Sequence, residues 1–308
     1  MIKTNKSKVL FLKEEYADGD GAFVYPNRSK YEGHWEGGLR DGFGVHTLRD
    51  GRKYIGQHKK GLRHGKGVEI FKNGEKYSGN WIDGTRDGKG IYTWPSGAKY
   101  VGQFKSEDLN GRGTFTFPDG AEYVGEWKNG EKHGKGVMTE TDGSRFEGQW
   151  KNGMMHGYGI VKQSNNDVYE GNWLNDSKHG QGIFTMKDFG KYEGQWRNGE
   201  MDGQGTLTFH NGYYITGVWK GGSPKNGSAI WPNGNRYEGE FKNWDWNGQG
   251  RFSIPSGNHI VGVFRHNEPW ETLEYDKNGV IVGKIIDGVQ TIENSSQITP
   301  QLEVDALA

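Results

Sequence analysis

The chain reads as all-β: a single-layer, twisted, antiparallel β-hairpin meander, elongated and curved. Three observations predict it. First, the glycine at the centre of a YxGxW motif recurs at Gly33, Gly56, Gly79, Gly102, Gly125, Gly148, Gly171, Gly194 and Gly217, every interval being 23 residues, and a fixed period in the twenties marks a repeat array. Second, the residues between these glycines fall into short runs that alternate with period two, as half-buried strands do. Third, Asp-Gly or Asn-Gly pairs separate the runs, at Asp50-Gly51, Asn73-Gly74, Asp119-Gly120, Asp142-Gly143, Asn211-Gly212 and Asn233-Gly234, where a hairpin turn needs positive φ.

Residues 1–15 hold one short apolar run, Val9–Leu12, too brief and too closely flanked by charge for a signal peptide or a membrane span. They read as an N-terminal cap strand or a tail. Residues 16–289 are the array. After Gly217 its register slips to Gly239, Gly262 and Gly283, so about twelve units are present, each stabilised mainly by its neighbours. In one unit, Tyr100–Phe104 is a strand, residues 105–110 a connection, Gly111–Phe117 a second strand and Pro118-Asp119-Gly120 a turn. Alternation puts Tyr100, Gly102 and Phe104 on one face with Gly111, Gly113, Phe115 and Phe117, and leaves Val101, Gln103, Arg112, Thr114 and Thr116 on the other. Glycine inside a strand marks close approach by another group, so the paired glycines are expected to receive Tyr and Trp rings. Two strands per unit space the repeats about 10 Å apart, for a ribbon on the order of 110 Å. Residues 280–286 are apolar on both faces, and an uncovered edge of that kind invites pairing. This predicts a homodimer through the C-terminal repeats, or coverage by residues 290–308, otherwise a C-terminal tail.

Composition narrows the function classes. Glycine is 53 of 308 residues and mean hydropathy is -0.93, yet 12 Trp, 15 Tyr and 14 Phe at fixed offsets supply the apolar surface that a disordered chain lacks. Lys plus Arg equals Asp plus Glu at 39 each, so there is no global basic field for nucleic acid. Cysteine is absent, which removes thiol nucleophiles, thiolate metal sites and disulfides and fits a reducing, cytoplasmic compartment.

The motif resembles the MORN repeat (membrane occupation and recognition nexus), whose pattern is met almost letter for letter by Tyr123–Gly143, YVGEWKNGEKHGKGVMTETDG. Eight copies carry the full aromatic-x-Gly-x-aromatic core, from Tyr31 to Tyr237; His58, Ile215 and Ile260 replace ring positions, and Gly227-Ser228-Ala229 breaks the paired glycines. The resemblance implies a MORN-repeat solenoid that scaffolds other proteins at membranes, cytoskeleton or division structures, with phospholipid binding also attributed to the family.

Three sets of residues are candidates. The repeat core comprises Tyr77, Trp81, Tyr100, Phe104, Tyr123, Trp127, Phe146, Trp150, Tyr169, Trp173, Tyr192 and Trp196. Tyr92, Trp94, Phe115, Phe117, Phe184, Phe209 and Trp231 vary between copies on the same face and are expected to line a concave groove for a helical or extended partner segment. Arg63, Lys66, Arg86, Lys89, Arg112, Lys132 and Lys135 form a basic strip for an acidic helix or, as the alternative function, anionic phospholipid.

His64, His133, His156 and His179 precede the paired glycines, but equivalent residues about 10 Å apart cannot share a zinc at about 2 Å, so no metal is expected. Asp41, Asp87 and Asn110 take the same slot, which suits a polar group bonding the hairpin loop. No P-loop, GxSxG elbow or other nucleophile and base set is present. The reading is a non-enzymatic scaffold or adaptor without cofactors.

Overall fold

In a computed structural model the described residues are 18–291, so the cap-strand reading of residues 1–15 and most of the 290–308 tail lie outside them. The chain divides between His156 and Gly157 into two compact units. Strands are numbered in chain order. The first unit contains β1 (Gly19–Val24), β2 (Lys30–Glu36), β3 (Leu39–Thr47), β4 (Lys53–Lys59), β5 (Leu62–Ile70) and β6 (Lys76–Ile82). It continues with β7 (Thr85–Thr93), β8 (Lys99–Lys105), β9 (Asp108–Thr116), β10 (Glu122–Lys128), β11 (Glu131–Thr139) and β12 (Arg145–Lys151). The second runs from β13 (Met154–Lys162), which starts just before the boundary, to β25 (Val289–Thr291). Gln290 and Thr291, expected in the tail, are strand residues. Within each unit every strand is antiparallel to its sequence neighbours, and no helix occurs among the described residues. The fold is an all-β, single-layer meander.

Two kinds of turn alternate. After each aromatic strand a two-residue turn has both residues at positive φ, as in Asn129-Gly130 at 51° and 81°, the type I′ geometry that matches strand twist. The connection expected over residues 105–110 is one of these turns, Ser106-Glu107. Asp108–Asn110 therefore belong to β9. The Asp-Gly turns bend differently. Only the glycine has positive φ, Gly120 at 99°, Asp119 accepts a bond from the Ala121 amide, and Phe117 and Ala121 close the loop.

The glycines of each GxG serve separate ends. Gly111 is at φ 79° and faces Gln103; with its equivalents it sits in a bulge, where the register shifts between Gly102 and Phe104. It is not a vacancy for a ring, as expected from alternation. Gly113 is: with Gly102 it lies under the Tyr100 ring, and a Cβ on Gly102 would stand 2.6 Å from Gly113 Cα. The Tyr100 hydroxyl donates across this floor to the Gln103 carbonyl at 3.0 Å, and Tyr54, Tyr77, Tyr123, Tyr169, Tyr192 and Tyr237 repeat the bond. The Trp127 indole donates to the Gly113 carbonyl at 3.2 Å, again recurrently.

These rings interlock edge to face. In the first unit Tyr54, Trp81, Tyr77, Phe104, Tyr100, Trp127, Tyr123, Trp150 and Phe146 form an unbroken chain with centroids 5.0–5.5 Å apart. In the second, Trp173, Tyr169, Trp196, Tyr192 and Trp219 do the same. All twelve expected core residues are buried. A one-layer sheet thus covers its apolar face with its own rings, a geometry that adds to area burial. Where motif residues are replaced, Ile215, Ile260 and His58 fill the same buried places.

Candidate functional site

The residues expected to line an aromatic groove do lie on the ring-bearing face, but they pack against one another. Tyr92 and Phe209 are buried and are corrected from groove lining to core. Trp94, Phe115, Phe117, Phe184 and Trp231 are half-buried. Trp94 contacts Tyr92 and Phe115, and Phe115 contacts Phe117, with centroids 4.5–5.4 Å apart. In the second unit Phe209, Tyr213 and Trp231 form a similar row, while Phe184 meets Trp196 and the Lys178 ammonium.

The expected basic strip divides between two faces. Arg63, Arg86 and Lys132 lie on the ring face, since each stands two residues before a GxG glycine of that face and the register pairs Arg86 with Trp81. Arg63 lies over Tyr54 and Trp81 and pairs with buried Glu69 at 2.9 Å. Arg86 lies over Tyr77 and Tyr92 and pairs with Glu107 at 2.6 Å. Lys132 stands 4.0 Å over Trp150. Lys178 repeats this in the second unit, and burial pulls its ammonium down to about 8. These cations cover the ring row and are spoken for.

Lys66, Lys89, Arg112 and Lys135 remain, all exposed on the opposite face. There the register aligns one residue per strand in a row: Val45, Ile55, Val68, Ser78, Ile91, Val101, Thr114, Val124 and Val137, each directly opposite the next. Glu32 and Glu147 end it, each ion-paired within its own strand to Lys30 and Arg145. Ile91, Val101 and Val124 are 40%, 42% and 46% exposed, and Phe43, beside the row, 63%. Over this row lies a groove of about 750 Å³ lined by Phe43, Ile55, Lys66, Val68, Ile91 and Arg112 among others.

A second basic row flanks the apolar one on its other side. Lys53, Lys76 and Lys99 alternate with Ile70, Thr93 and Thr116 along the strand ends. Reading the motif alone missed these lysines and the apolar row. The signal was the Lys-Tyr pair at Lys53-Tyr54, Lys76-Tyr77 and Lys99-Tyr100, repeated every 23 residues. No ion pair to Lys53, Lys66, Lys76, Lys89, Lys99 or Arg112 occurs among the described residues. The second unit differs: its equivalent row includes Glu170, Glu193 and Glu238, and its GxG centres include Gln181, Gln204 and Gln249.

The slot before each GxG holds the hairpin loops, as its polar residues suggested. Asp41 accepts from the Lys60 amide, Asp87 from Ser106 and Asn110 from Asn129, and His64 reaches Asp83 at 3.4 Å. At the N-terminal end His46 and His58 sit among the rings. His58 lies between Tyr31 and Tyr54 with centroids 5.0 Å away, and burial, with Arg40 nearby, lowers it to about 4. His46, 2.8 Å from an Arg40 nitrogen, is lowered to about 4 by the same causes.

Together these features define, in each unit, a β-hairpin repeat array with one face covered by its own rings and the other uncovered among the described residues. The chain belongs to the MORN-repeat family: the family model matches nine segments, residues 31–51, 54–76, 77–99, 100–122, 123–145, 146–168, 169–191, 192–212 and 237–259. No curated protein matches the sequence. Among solved structures, the TCP10 domain of Danio rerio CPAP in complex with a peptide of Danio rerio STIL is similar at 11% identity and TM-score 0.32, over 85% of this chain and 92% of that one. The CPAP G-box domain is similar at 14% and 0.33, over 66% and 100%. The Drosophila melanogaster SAS-4 (dCPAP) TCP domain with a proline-rich motif of Ana2 gives 12% and 0.23, over 76% and 100%. At such scores no property of those proteins transfers to this chain.

Proposed function

We propose that this protein is a non-enzymatic scaffold that docks a segment of a partner protein on the uncovered face of its first unit. The observation that carries this reading is the aligned apolar row. Side chains such as Ile91 and Val101 stand 40% and 42% exposed over a groove of about 750 Å³, and exposed apolar area of this kind, interrupted in the row only by Ser78 and Thr114, is characteristic of an interaction surface. The ring face is the less suited of the two, since its aromatics and cations already pack against each other. Membership of the MORN-repeat family agrees with a scaffolding role.

Affinity capture with the full chain tests the choice of face. Ile91→Asp with Val101→Asp should abolish recovery of the principal partner, whereas Trp94→Ser with Phe117→Ser should retain it. The opposite pattern, with all variants folded by circular dichroism, would return docking to the aromatic face.

A further inference from the structure

We infer that the segment docked on the first unit is an amphipathic α-helix, acidic along both flanks of its apolar stripe and lying across the strands. This rests on the docking reading above and adds the chemistry of the occupant. Two dimensions agree. Lys53, Lys76 and Lys99 on one side, and Lys66, Lys89 and Arg112 on the other, repeat every second strand, about 9.6 Å. A helix returns to the same face every seven residues, about 10.5 Å. The mismatch of about 1 Å per repeat is small against the reach of a lysine side chain.

The two basic rows are four residues apart along a strand, as Lys99 and Gln103 are on β8, hence about 13 Å, and a helix with its side chains is about 10–12 Å across. The apolar row runs midway between them. A helix laid along it would set leucine-type residues on Ile91 and Val101 and bring carboxylates to cations that have no ion-pair partner among the described residues.

Charge selects the sign. Across β4 to β9 these three rows contain six cations and no carboxylate, so an acidic ligand is attracted and a basic one repelled. An anionic bilayer would offer phosphates to the lysines but leave the apolar row against headgroups.

Fluorescence anisotropy with the full chain and synthetic peptides of about three heptads tests this. One peptide carries Leu at the first and fourth heptad positions and Glu at the fifth and seventh. A second replaces Glu by Lys, and a third keeps the acidic composition with the leucines out of period. Only the first should bind, and Lys66→Glu with Lys89→Glu should weaken it about tenfold or more. Raising salt from 50 to 300 mM on the unaltered chain should weaken it too, a readout that needs no variant to fold.

Equal binding of the out-of-period peptide, indifference to charge reversal and salt, or binding of phosphatidylserine vesicles with no peptide binding would each overturn the helix. If the peptide fails while Ile91→Asp with Val101→Asp still abolishes partner capture, docking stands and the helix falls. If that variant leaves both unchanged, both readings fall.

Discussion

At the scale of single residues, the two glycines of GxG answer different demands. Gly113 and its partner Gly102 form the floor on which Tyr100 lies, with no room for a Cβ. Gly102→Ala should therefore destabilise the chain by about 1–3 kcal/mol through overpacking, read as a lowered urea midpoint. His58 is the odd member of the ring ladder. His58 and His46 have folded pKa values near 4 against an ordinary 6.5. The unfolded chain binds more protons between those values, so stability is present above pH 6.5 and declines as pH falls toward 4. His58→Trp should raise the melting temperature and flatten this acid decline, because tryptophan at the equivalent place packs edge to face on both tyrosines and bonds a glycine carbonyl, as Trp81 does with Gly67 at 3.4 Å. A melting profile from pH 7 to 4 checks both.

At the scale of strands and turns, the I′ turns hold non-glycine residues at positive φ, among them Lys60 at 50°. Asparagine tolerates that region better, so Lys60→Asn should stabilise by about 0.5–1 kcal/mol in chemical unfolding. The backbone bond from residue 60 to Asp41 does not depend on the side chain. Strand identity and the ring face were legible in the sequence, because a period of two and invariant glycine offsets report directly on side-chain alternation. The bulge at each GxG was not. Alternation counted through residues 105–111 puts Gly111 on the ring face and makes the connection six residues long, whereas the bulge shortens it to Ser106-Glu107. Arg63, Arg86 and Lys132 stand two residues before the first glycine of GxG, so alternation already puts them on the ring face, where they lie over the rings and apart from Lys66, Lys89 and Arg112.

At the scale of the molecule, a formal net charge of zero conceals a local separation. The uncovered face of the first unit gathers Lys53, Lys66, Lys76, Lys89, Lys99 and Arg112 around an apolar row, while the matching face of the second carries Glu193 and Glu238 already paired to Lys191 and Arg236. Cross-strand register, not composition, assembles the first arrangement, and register is fixed by turns that keep each repeat at 23 residues. In the first unit one face is then an interior made by the rings, with no second layer among the described residues, and the other is exposed. The most direct test is the unfolding free energy of two neighbouring variants, Tyr100→Ala and Val101→Asp. Tyr100→Ala should cost about 3–5 kcal/mol, as loss of a buried ring does, and Val101→Asp should change stability by no more than about 0.5 kcal/mol, as at an exposed site. A costly Val101→Asp beside a tolerated Tyr100→Ala would contradict the assignment of the two faces.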